Sequence, residues 1–176
     1  DFILDVGAFD GRLLDQLARR VGFPVRHGIE PDRTAGGDYI RVDWVGIVDQ
    51  EVQYDIITVA HTLEHLRDPG GMLASARQAI KPDGLLFVEV PNLETPYVQL
   101  VPYFKWQHLW YFTPGSLANL LVAAGLFPLE VTTTPYGALR ILAKRYQLVG
   151  VRVNDPSQAA RSLAAIQEYQ ALREKE

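Results

Sequence analysis

Apolar residues follow two spacings along the chain, and the alternation of these spacings predicts a series of strands and helices. Short apolar runs predict buried strands at 2–6, 23–29, 39–42, 55–60 and 85–90. Apolar residues three and four positions apart predict helices at 11–21 and 71–80, the second closed by the turn residues 81–84. Strands that alternate with helices over short connections are typical of a parallel sheet covered on both faces.

The pattern changes after Pro91. A helix is predicted at 114–124, ended by Gly125, which suits the left-handed position after a helix. Two further runs, 127–134 and 138–146, predict strands that pair antiparallel. We therefore expect an α/β, doubly wound, mostly parallel seven-stranded sheet with an antiparallel strand pair at the C-terminal edge. This sheet belongs to a domain of residues 1–150, and residues 151–176 form a C-terminal helical extension.

Composition narrows the class of protein. The 176 residues are 48% hydrophobic and 22% charged with a net charge of -4, which indicates one globular domain. The absence of cysteine excludes disulfides and thiolate metal sites and favours a reducing compartment. Without basic clusters, a leader or a membrane-length apolar run, we expect a soluble, cytoplasmic protein that binds neither nucleic acid nor membrane. The chain opens directly on an apolar strand, which we interpret as a start inside a domain.

The loop after the first predicted strand carries the clearest ligand chemistry. It reads Asp5-Val-Gly-Ala-Phe-Asp-Gly11 and lies where a doubly wound sheet binds its ligand. A dinucleotide site needs a second glycine at the place of Phe9, and Asp5 would repel phosphate oxygens. A cationic, phosphate-free adenosyl ligand fits better, and S-adenosylmethionine carries both an amine and a sulfonium.

The second predicted strand ends at a further acidic residue. Glu30 lies about 20 residues beyond Gly11, where a carboxylate accepts hydrogen bonds from both ribose hydroxyls of a bound nucleoside. Each piece also has an ordinary structural interpretation: Asp5 as a helix cap, Gly7 and Gly11 as turn glycines, and Glu30 as a solvated strand end. Their joint spacing favours the ligand site.

These motifs, with four others, resemble those of class I S-adenosylmethionine-dependent methyltransferases, in particular the small-molecule branch that includes sugar C-methyltransferases and quinone O-methyltransferases. The motifs are Asp5-Val-Gly-Ala-Phe-Asp-Gly11, Gly28-Ile-Glu-Pro-Asp32, Tyr54-Asp-Ile-Ile-Thr-Val-Ala60, Leu63-Glu-His-Leu66, Lys81-Pro-Asp-Gly84 and His108-Leu-Trp-Tyr-Phe-Thr-Pro114. The resemblance covers roughly residues 1–146 and implies a Rossmann-like methyltransferase fold.

The resemblance also implies cofactor contacts. Asp5, Gly7 and Gly11 would hold the amino-acid end of S-adenosylmethionine, Glu30 its ribose, and the region around Asp43 its adenine. Ala60 and His61 would flank the sulfonium, and the remaining implied contacts are Ala8, Phe9 and Pro31. This chain departs from the family in two respects: Phe9 replaces the usual middle glycine, and the N-terminal helices that normally precede the first strand are missing.

The motif His61-Thr-Leu-Glu-His65 has two metal interpretations. A zinc-protease motif would need a long helix, which Asp68-Pro69 disfavours. Some O-methyltransferases of the resembled branch bind a divalent ion through Glu-x-x-Glu-His and a later histidine. Glu64, His65 and His108 match that pattern, but His61 replaces the first glutamate, and magnesium prefers oxygen ligands. We therefore expect no metal, with this cluster as the alternative.

The remaining candidates concern the methyl acceptor. His61 or His65 would act as a general base, or His65 would only orient its loop. An aromatic acceptor pocket is predicted at Tyr97, Tyr103, Trp106, His108 and Tyr111, whereas Trp110 and Phe112 are expected to pack in the core.

The expected function is methyl transfer from S-adenosylmethionine to a small-molecule acceptor, which the sequence does not identify. Phe9 and the missing helices leave open a non-catalytic binding domain of the same fold. An NAD-dependent oxidoreductase is disfavoured by Asp5 and Phe9. The C-terminal helix would either pair with a second copy in a homodimer or pack back on the sheet.

Overall fold

A single mixed sheet forms the centre of the protein. We describe a computed structural model, whose described residues are 1–22, 25–37, 39–41, 52–95 and 104–145. Within these residues the sheet has seven strands in the order β3-β2-β1-β4-β5-β7-β6. The strands are β1 (Phe2–Val6), β2 (Val25–Ile29), β3 (Ile40–Arg41), β4 (Tyr54–Ala60), β5 (Ile80–Pro91), β6 (Leu126–Thr133) and β7 (Ala138–Arg145).

The strand directions place three strand ends together. Strand β1 pairs in parallel with β2 and β4, in a register that sets Val6 beside Ile29 and beside Val59. Strand β5 continues the parallel part, and β7 and β6 pair antiparallel beyond it. The predicted fold class is confirmed, and the carboxyl ends of β1, β2 and β4 share one sheet edge.

Three α-helices cover the sheet within the described residues: α1 (Arg12–Val21), α2 (Pro69–Ala79) and α3 (Pro114–Ala123). Helix α2 begins two residues earlier than predicted, because the Asp68 side chain accepts a hydrogen bond from the Gly71 amide at 2.8 Å and caps the helix. At the start of α3, Thr113 and Ser116 exchange side-chain and backbone bonds in a capping box. Gly125 follows α3 with a φ of +78°, as expected.

Buried residues pack on both faces of the sheet. Ile3 joins Leu14 of α1 in one cluster, whereas its neighbour Leu4 joins a larger cluster with residues of α2 and α3. Adjacent strand residues point to opposite faces, so this split matches a period of two. The sheet is therefore covered on both sides, as the pattern predicts.

The structure corrects two expectations. Residues 81–84 do not form a turn between helix and strand but lie within β5, where the register shifts as Ile80 pairs with Tyr54 and Leu85 with Ile56. A Cβ on Gly84 would lie 2.8 Å from the Tyr54 carbonyl oxygen, so this segment approaches β4 closely. The expectation that Trp110 packs in the core is wrong: Trp110 is exposed, and its indole Nε1 donates to the Leu66 carbonyl at 2.8 Å. Phe112 is buried, as expected.

Several predicted features lie outside the described residues. They are the start of the second strand at 23–24, the end of the third at Val42, the candidates Asp43, Tyr97 and Tyr103, the strand end at Tyr146, and the extension at 151–176. No helix among the described residues combines the length and apolar character needed to cross a membrane.

Candidate functional site

A cleft lies at the shared carboxyl edge of β1, β2 and β4. Its volume is about 1060 Å³, which is large enough for an adenosyl ligand and a second small molecule. The loops after the three strands and the start of α2 line it. The lining residues are Val6, Gly7, Phe9, Ile29, Glu30, Pro31, Ala60, His61, Thr62, His65, Leu66, Arg67, Asp68, Gly71, Met72 and Ser75.

The loop after β1 is a tight turn tied to the end of β2. The amides of Gly7 and Ala8 both donate to the Ile29 carbonyl, at 2.8 and 3.0 Å, and the Gly11 amide donates to the Ala8 carbonyl at 2.7 Å. Gly7 has a φ of +83°, and a Cβ placed on it would lie 2.0 Å from the Thr62 hydroxyl oxygen. A glycine at this position therefore lets the loops after β1 and β4 touch.

Phe9 adopts a backbone conformation that favours glycine. Its φ is +43°, and two hydrogen bonds fix it: its amide donates to Glu30 Oε2 at 2.9 Å and its carbonyl accepts from the Tyr39 hydroxyl at 3.0 Å. The side chain is 62% exposed and lines the cleft. The turn is thus kept although the residue is not glycine.

Both carboxylate oxygens of Glu30 accept hydrogen bonds from backbone amides. Oε2 accepts from the Phe9 amide, and Oε1 accepts from the Asp32 amide at 2.8 Å. A carboxylate offers about four lone-pair sites, so such a group can accept from hydroxyl donors as well as from backbone amides. The predicted ribose ligand therefore lines the cleft in an orientation fixed by backbone amides.

Asp5 lies behind the cleft rather than on its wall. Its side chain is 3% exposed, and Oδ1 accepts from the Thr58 hydroxyl at 2.7 Å. Burial raises the pKa of Asp5 to about 6, with the Thr58 bond opposing this shift and the Glu30 charge adding to it. Ala8 and Gly11 likewise do not line the cleft, whereas Gly7, Phe9, Glu30, Pro31, Ala60 and His61 do.

His61 lies between two carboxylates at the end of β4. Its φ is +50°, its Nε2 is 2.9 Å from Glu89 Oε1, and its Nδ1 is 3.6 Å from Glu64 Oε1. The carboxylates of Glu64 and Glu89 raise the pKa of His61 to about 9, so the ring carries a proton at neutral pH. Glu89 also pairs with Arg140, so it bridges the histidine and an arginine.

His65 and Glu64 belong to a short 3₁₀ helix, Leu63–His65, of which His65 lines the cleft. The His65 Nδ1 contacts the Gln107 carbonyl at 2.9 Å, and the ring meets His108 edge to face at 4.8 Å. The Glu64 carbonyl accepts from the amides of Leu109 and Trp110 at 2.8 and 3.2 Å. The segment that carries His108 is therefore docked on the 3₁₀ helix.

The Glu64 carboxylate has an unusual environment. It is 1% exposed, and neither of its oxygens, nor the buried Nδ1 of His108, has a hydrogen-bond partner among the described residues. Ligand atoms of Glu64, His65 and His108 lie within 4.8 Å of one another. The sequence pattern indicates these three residues as a cluster but does not predict that the carboxylate is buried.

The predicted acceptor pocket is described only in part. Trp106 is 87% exposed, and the Tyr111 hydroxyl bonds to the backbone of Lys105. With His108, these residues form the segment beside the 3₁₀ helix but do not line the cleft.

Thr62 and the start of α2 were not predicted for the site. Their position directly after the end of β4 is the feature of the sequence that could have indicated them.

Comparisons with known proteins agree on the kind of domain. A family model described as a methyltransferase domain matches residues 2–131. The ubiquinone biosynthesis O-methyltransferase of Aeromonas salmonicida is 24% identical over 167 residues, covering 78% of this chain and 67% of the relative. The protein of the same name from Neisseria meningitidis serogroup A is 27% identical over 173 residues, covering 83% and 71%.

Solved structures share the fold. An S-adenosylmethionine-dependent methyltransferase from Clostridium acetobutylicum superimposes with a TM-score of 0.67 at 10% identity, covering 84% of this chain and 85% of that one. The 1,6-didemethyltoxoflavin-N1-methyltransferase of Burkholderia thailandensis, solved with its substrate and S-adenosylhomocysteine, gives a TM-score of 0.63 at 23% identity, covering 83% and 71%.

Proposed function

Because the chain belongs to the class I S-adenosylmethionine-dependent methyltransferases, we propose that its cleft binds this methyl donor beside a small-molecule acceptor and aligns the two for in-line transfer. The observation that carries the proposal is the left-handed glycine turn at Gly7, set between the carboxylates of Asp5 and Glu30 at the edge of the sheet.

The residues present fit the donor. A side chain at Gly7 would fill the space against Thr62, so the turn keeps this part of the cleft open to backbone contact. Asp5 and Glu30 supply negative charge, which favours a cationic ligand and disfavours a pyrophosphate. S-adenosylmethionine supplies a methyl group that its sulfonium already activates for transfer.

The chain's own contribution is mainly positioning. Glu30, fixed by the amides of Phe9 and Asp32, accepts hydrogen bonds from the ribose hydroxyls. Gly7 contacts the amino-acid end through its backbone, with the charge of Asp5 behind it, and Ala60 and His61 flank the methyl-bearing centre. Correct alignment of two reactants is worth roughly 7 to 11 kcal/mol of a reaction barrier, so the site needs no nucleophile of its own.

His65 is the stronger candidate for removing a proton from the acceptor. Its Nδ1 donates to the Gln107 carbonyl, which leaves Nε2 as a proton acceptor, and the residue lines the cleft. His61 is already engaged by Glu89, and we assign it to holding the end of β4 in position.

The acceptor is a small molecule, as in the relatives. The names of the relatives place them in ubiquinone biosynthesis, and a structural neighbour methylates a didemethyltoxoflavin. We propose that the segment of Trp106, His108 and Tyr111 contributes to the acceptor side, since it bonds to the 3₁₀ helix whose His65 lines the cleft. Tyr97 and Tyr103 belong to the same proposal but lie outside the described residues.

Calorimetry with three ligands tests the proposal. We expect S-adenosylmethionine and S-adenosylhomocysteine to bind one per chain, and NAD to bind at least about 100-fold more weakly because the charges of Asp5 and Glu30 repel its pyrophosphate. Equal or tighter binding of NAD would contradict the charge argument. Binding of the first two ligands without a methylated product from any acceptor would contradict the assignment of the acceptor side.

The raised pKa of Asp5 predicts a pH dependence of ligand affinity. Asp5 is ionised above about pH 6 and protonated below it, so its attraction for the ligand's amine is lost as the pH falls through 6. At pH 5 about one tenth of the molecules keep the charge, and we expect the affinity for S-adenosylhomocysteine to fall about tenfold from its value at pH 7.5.

The control for this prediction is Asp5→Asn. The variant should bind more weakly at pH 7.5 and show a flat profile between pH 5 and 7.5, measured by calorimetry in matched buffers. An unchanged profile in Asp5→Asn would assign the pH dependence to another group.

A further inference from the structure

The charged and titratable side chains that line the cleft differ in whether they have partners within the protein. They are Glu30, His61, His65, Arg67 and Asp68. The carboxylates of Glu30 and Asp68 accept hydrogen bonds from backbone amides. His61 contacts a carboxylate of β5, and His65 contacts a backbone carbonyl. The guanidinium of Arg67, by contrast, has no hydrogen bond and no ion pair with any other described residue, so its charge and its five N–H donors are available to a ligand.

Arg67 lies on the side of the cleft away from the proposed ribose ligand. Strand β1 separates β4 from β2 in the sheet, so the ends of β4 and β2 are about 10 Å apart. Glu30 directly follows β2, whereas Arg67 belongs to the connection between β4 and α2. The cleft therefore has negative charge on the side proposed for the donor and an unpaired positive charge on the other side.

The residues that line the cleft with Arg67 suit a small organic acceptor. Leu66 and the buried Met72 supply apolar side chains to the same cleft. His65, the proposed proton acceptor, precedes Arg67 by two residues, so their Cα atoms lie at most about 7 Å apart. A molecule of one ring is therefore long enough to contact the guanidinium at one end and to present a hydroxyl to His65 at the other.

We propose that the methyl acceptor carries a carboxylate, which the Arg67 guanidinium binds in a bidentate pair. The proposal rests on the proposed function, since it names the chemical class of the acceptor in the same cleft. The two oxygens of a carboxylate match the planar fork of an arginine. A phosphate dianion fits less well, because Glu30 and Asp68 line the same cleft and Arg67 is the one arginine or lysine among its described lining residues.

Calorimetry with two matched compounds tests the proposal. The probes are 3,4-dihydroxybenzoate and 3,4-dihydroxybenzamide, which share the ring and both hydroxyls and differ in the charge of one substituent. With the chain saturated by S-adenosylhomocysteine at pH 7.5, the acid should bind at least about tenfold more tightly than the amide, because charge-assisted hydrogen bonds are roughly twice as strong as neutral ones. In Arg67→Gln this preference should disappear. Arg67→Lys should restore part of it, since lysine keeps the charge but not the fork.

The matched control is Arg20→Gln, which should keep the full preference for the acid. Arg20 is an exposed arginine in the last turn of α1, whereas the loop that lines the cleft precedes the first turn of that helix. Equal affinities of the original chain for the acid and the amide, or no binding of the acid, would overturn the proposal. Both outcomes leave the proposed cofactor cleft intact as long as S-adenosylhomocysteine binds.

The affinity of Arg67→Gln for S-adenosylhomocysteine separates the acceptor from the donor, which has a carboxylate of its own. This affinity should stay within about threefold of the original value if the guanidinium serves the acceptor. A loss of about tenfold or more would assign Arg67 to the donor's carboxylate and overturn the proposal. No binding of S-adenosylhomocysteine by the original chain would overturn the proposed function, and this inference with it.

Discussion

Replacement of Glu30 by glutamine is expected to weaken the binding of S-adenosylhomocysteine about 100-fold. The carboxylate accepts from the amides of Phe9 and Asp32 with its two oxygens, and a carboxylate can also accept from the hydroxyls of a ribose. Glutamine keeps one acceptor oxygen and places an NH₂ group against the other backbone donor. Hydrogen bonds to a charged acceptor are worth roughly 1.5 to 3 kcal/mol each, so the loss should approach 3 kcal/mol, or about two powers of ten.

The matched control is Glu130→Gln. Glu130 is an exposed residue of β6, at the sheet edge opposite β3. Its replacement by glutamine therefore removes the same charge far from the cleft. Its affinity for S-adenosylhomocysteine should stay within about twofold of the original chain, and calorimetry at one ionic strength compares the two. An affinity of Glu30→Gln within threefold of the original would assign the ribose to another residue.

The part of the fold that the sequence predicts is the part built by local patterns. The apolar run of β1 and the spacing of α1 follow from short-range periodicity, and the structure places them accordingly. Gly125 ends α3 because the position after the helix is left-handed, a requirement that glycine meets without strain. The order of motifs then predicts which strand ends share an edge, and so which loops line the cleft.

The features that the sequence does not predict depend on contacts between distant residues. Residues 81–84 resemble a helix-closing turn, but Ile80 and Leu85 on either side of them both pair with β4, so they form an irregularity within β5. Trp110 has the large aromatic side chain typical of a core residue, yet it is exposed and its indole donates to the Leu66 carbonyl. Glu64 is buried, and its carbonyl bonds to a segment more than 40 residues later, a contact that no local pattern reports.

Phe9 shows how a departure from the family pattern is accommodated. A phenylalanine at a φ of +43° costs roughly 1 to 2 kcal/mol relative to an ordinary conformation. Its two hydrogen bonds, to Glu30 and from Tyr39, offset this cost and hold the turn. The backbone of the loop is therefore preserved, while the exposed ring adds an apolar surface to the cleft.

Replacement of Gly7 by alanine is expected to reduce the affinity for S-adenosylhomocysteine by more than about 100-fold, the larger of the two effects. The new Cβ would lie 2.0 Å from the Thr62 hydroxyl oxygen, at a φ of +83° that side chains rarely adopt. Either the loop after β1 or the loop after β4 must move, and both line the cleft. The free energy of unfolding should also fall, by the strain of the left-handed residue together with the cost of the contact.

Gly22→Ala separates strain from contact. Gly22 ends α1 at a φ of +82°, almost the same as Gly7, but no atom of the described residues lies within 4 Å of a Cβ placed there. This variant should lose roughly 1 kcal/mol of stability in urea unfolding and keep its affinity for S-adenosylhomocysteine. Adding Thr62→Ala to Gly7→Ala removes the closest atom and leaves the nearest remaining one at 3.1 Å, so part of the affinity should return. A double variant as weak as Gly7→Ala alone would show that the backbone conformation, and not the approach of Thr62, determines the shape of the cleft.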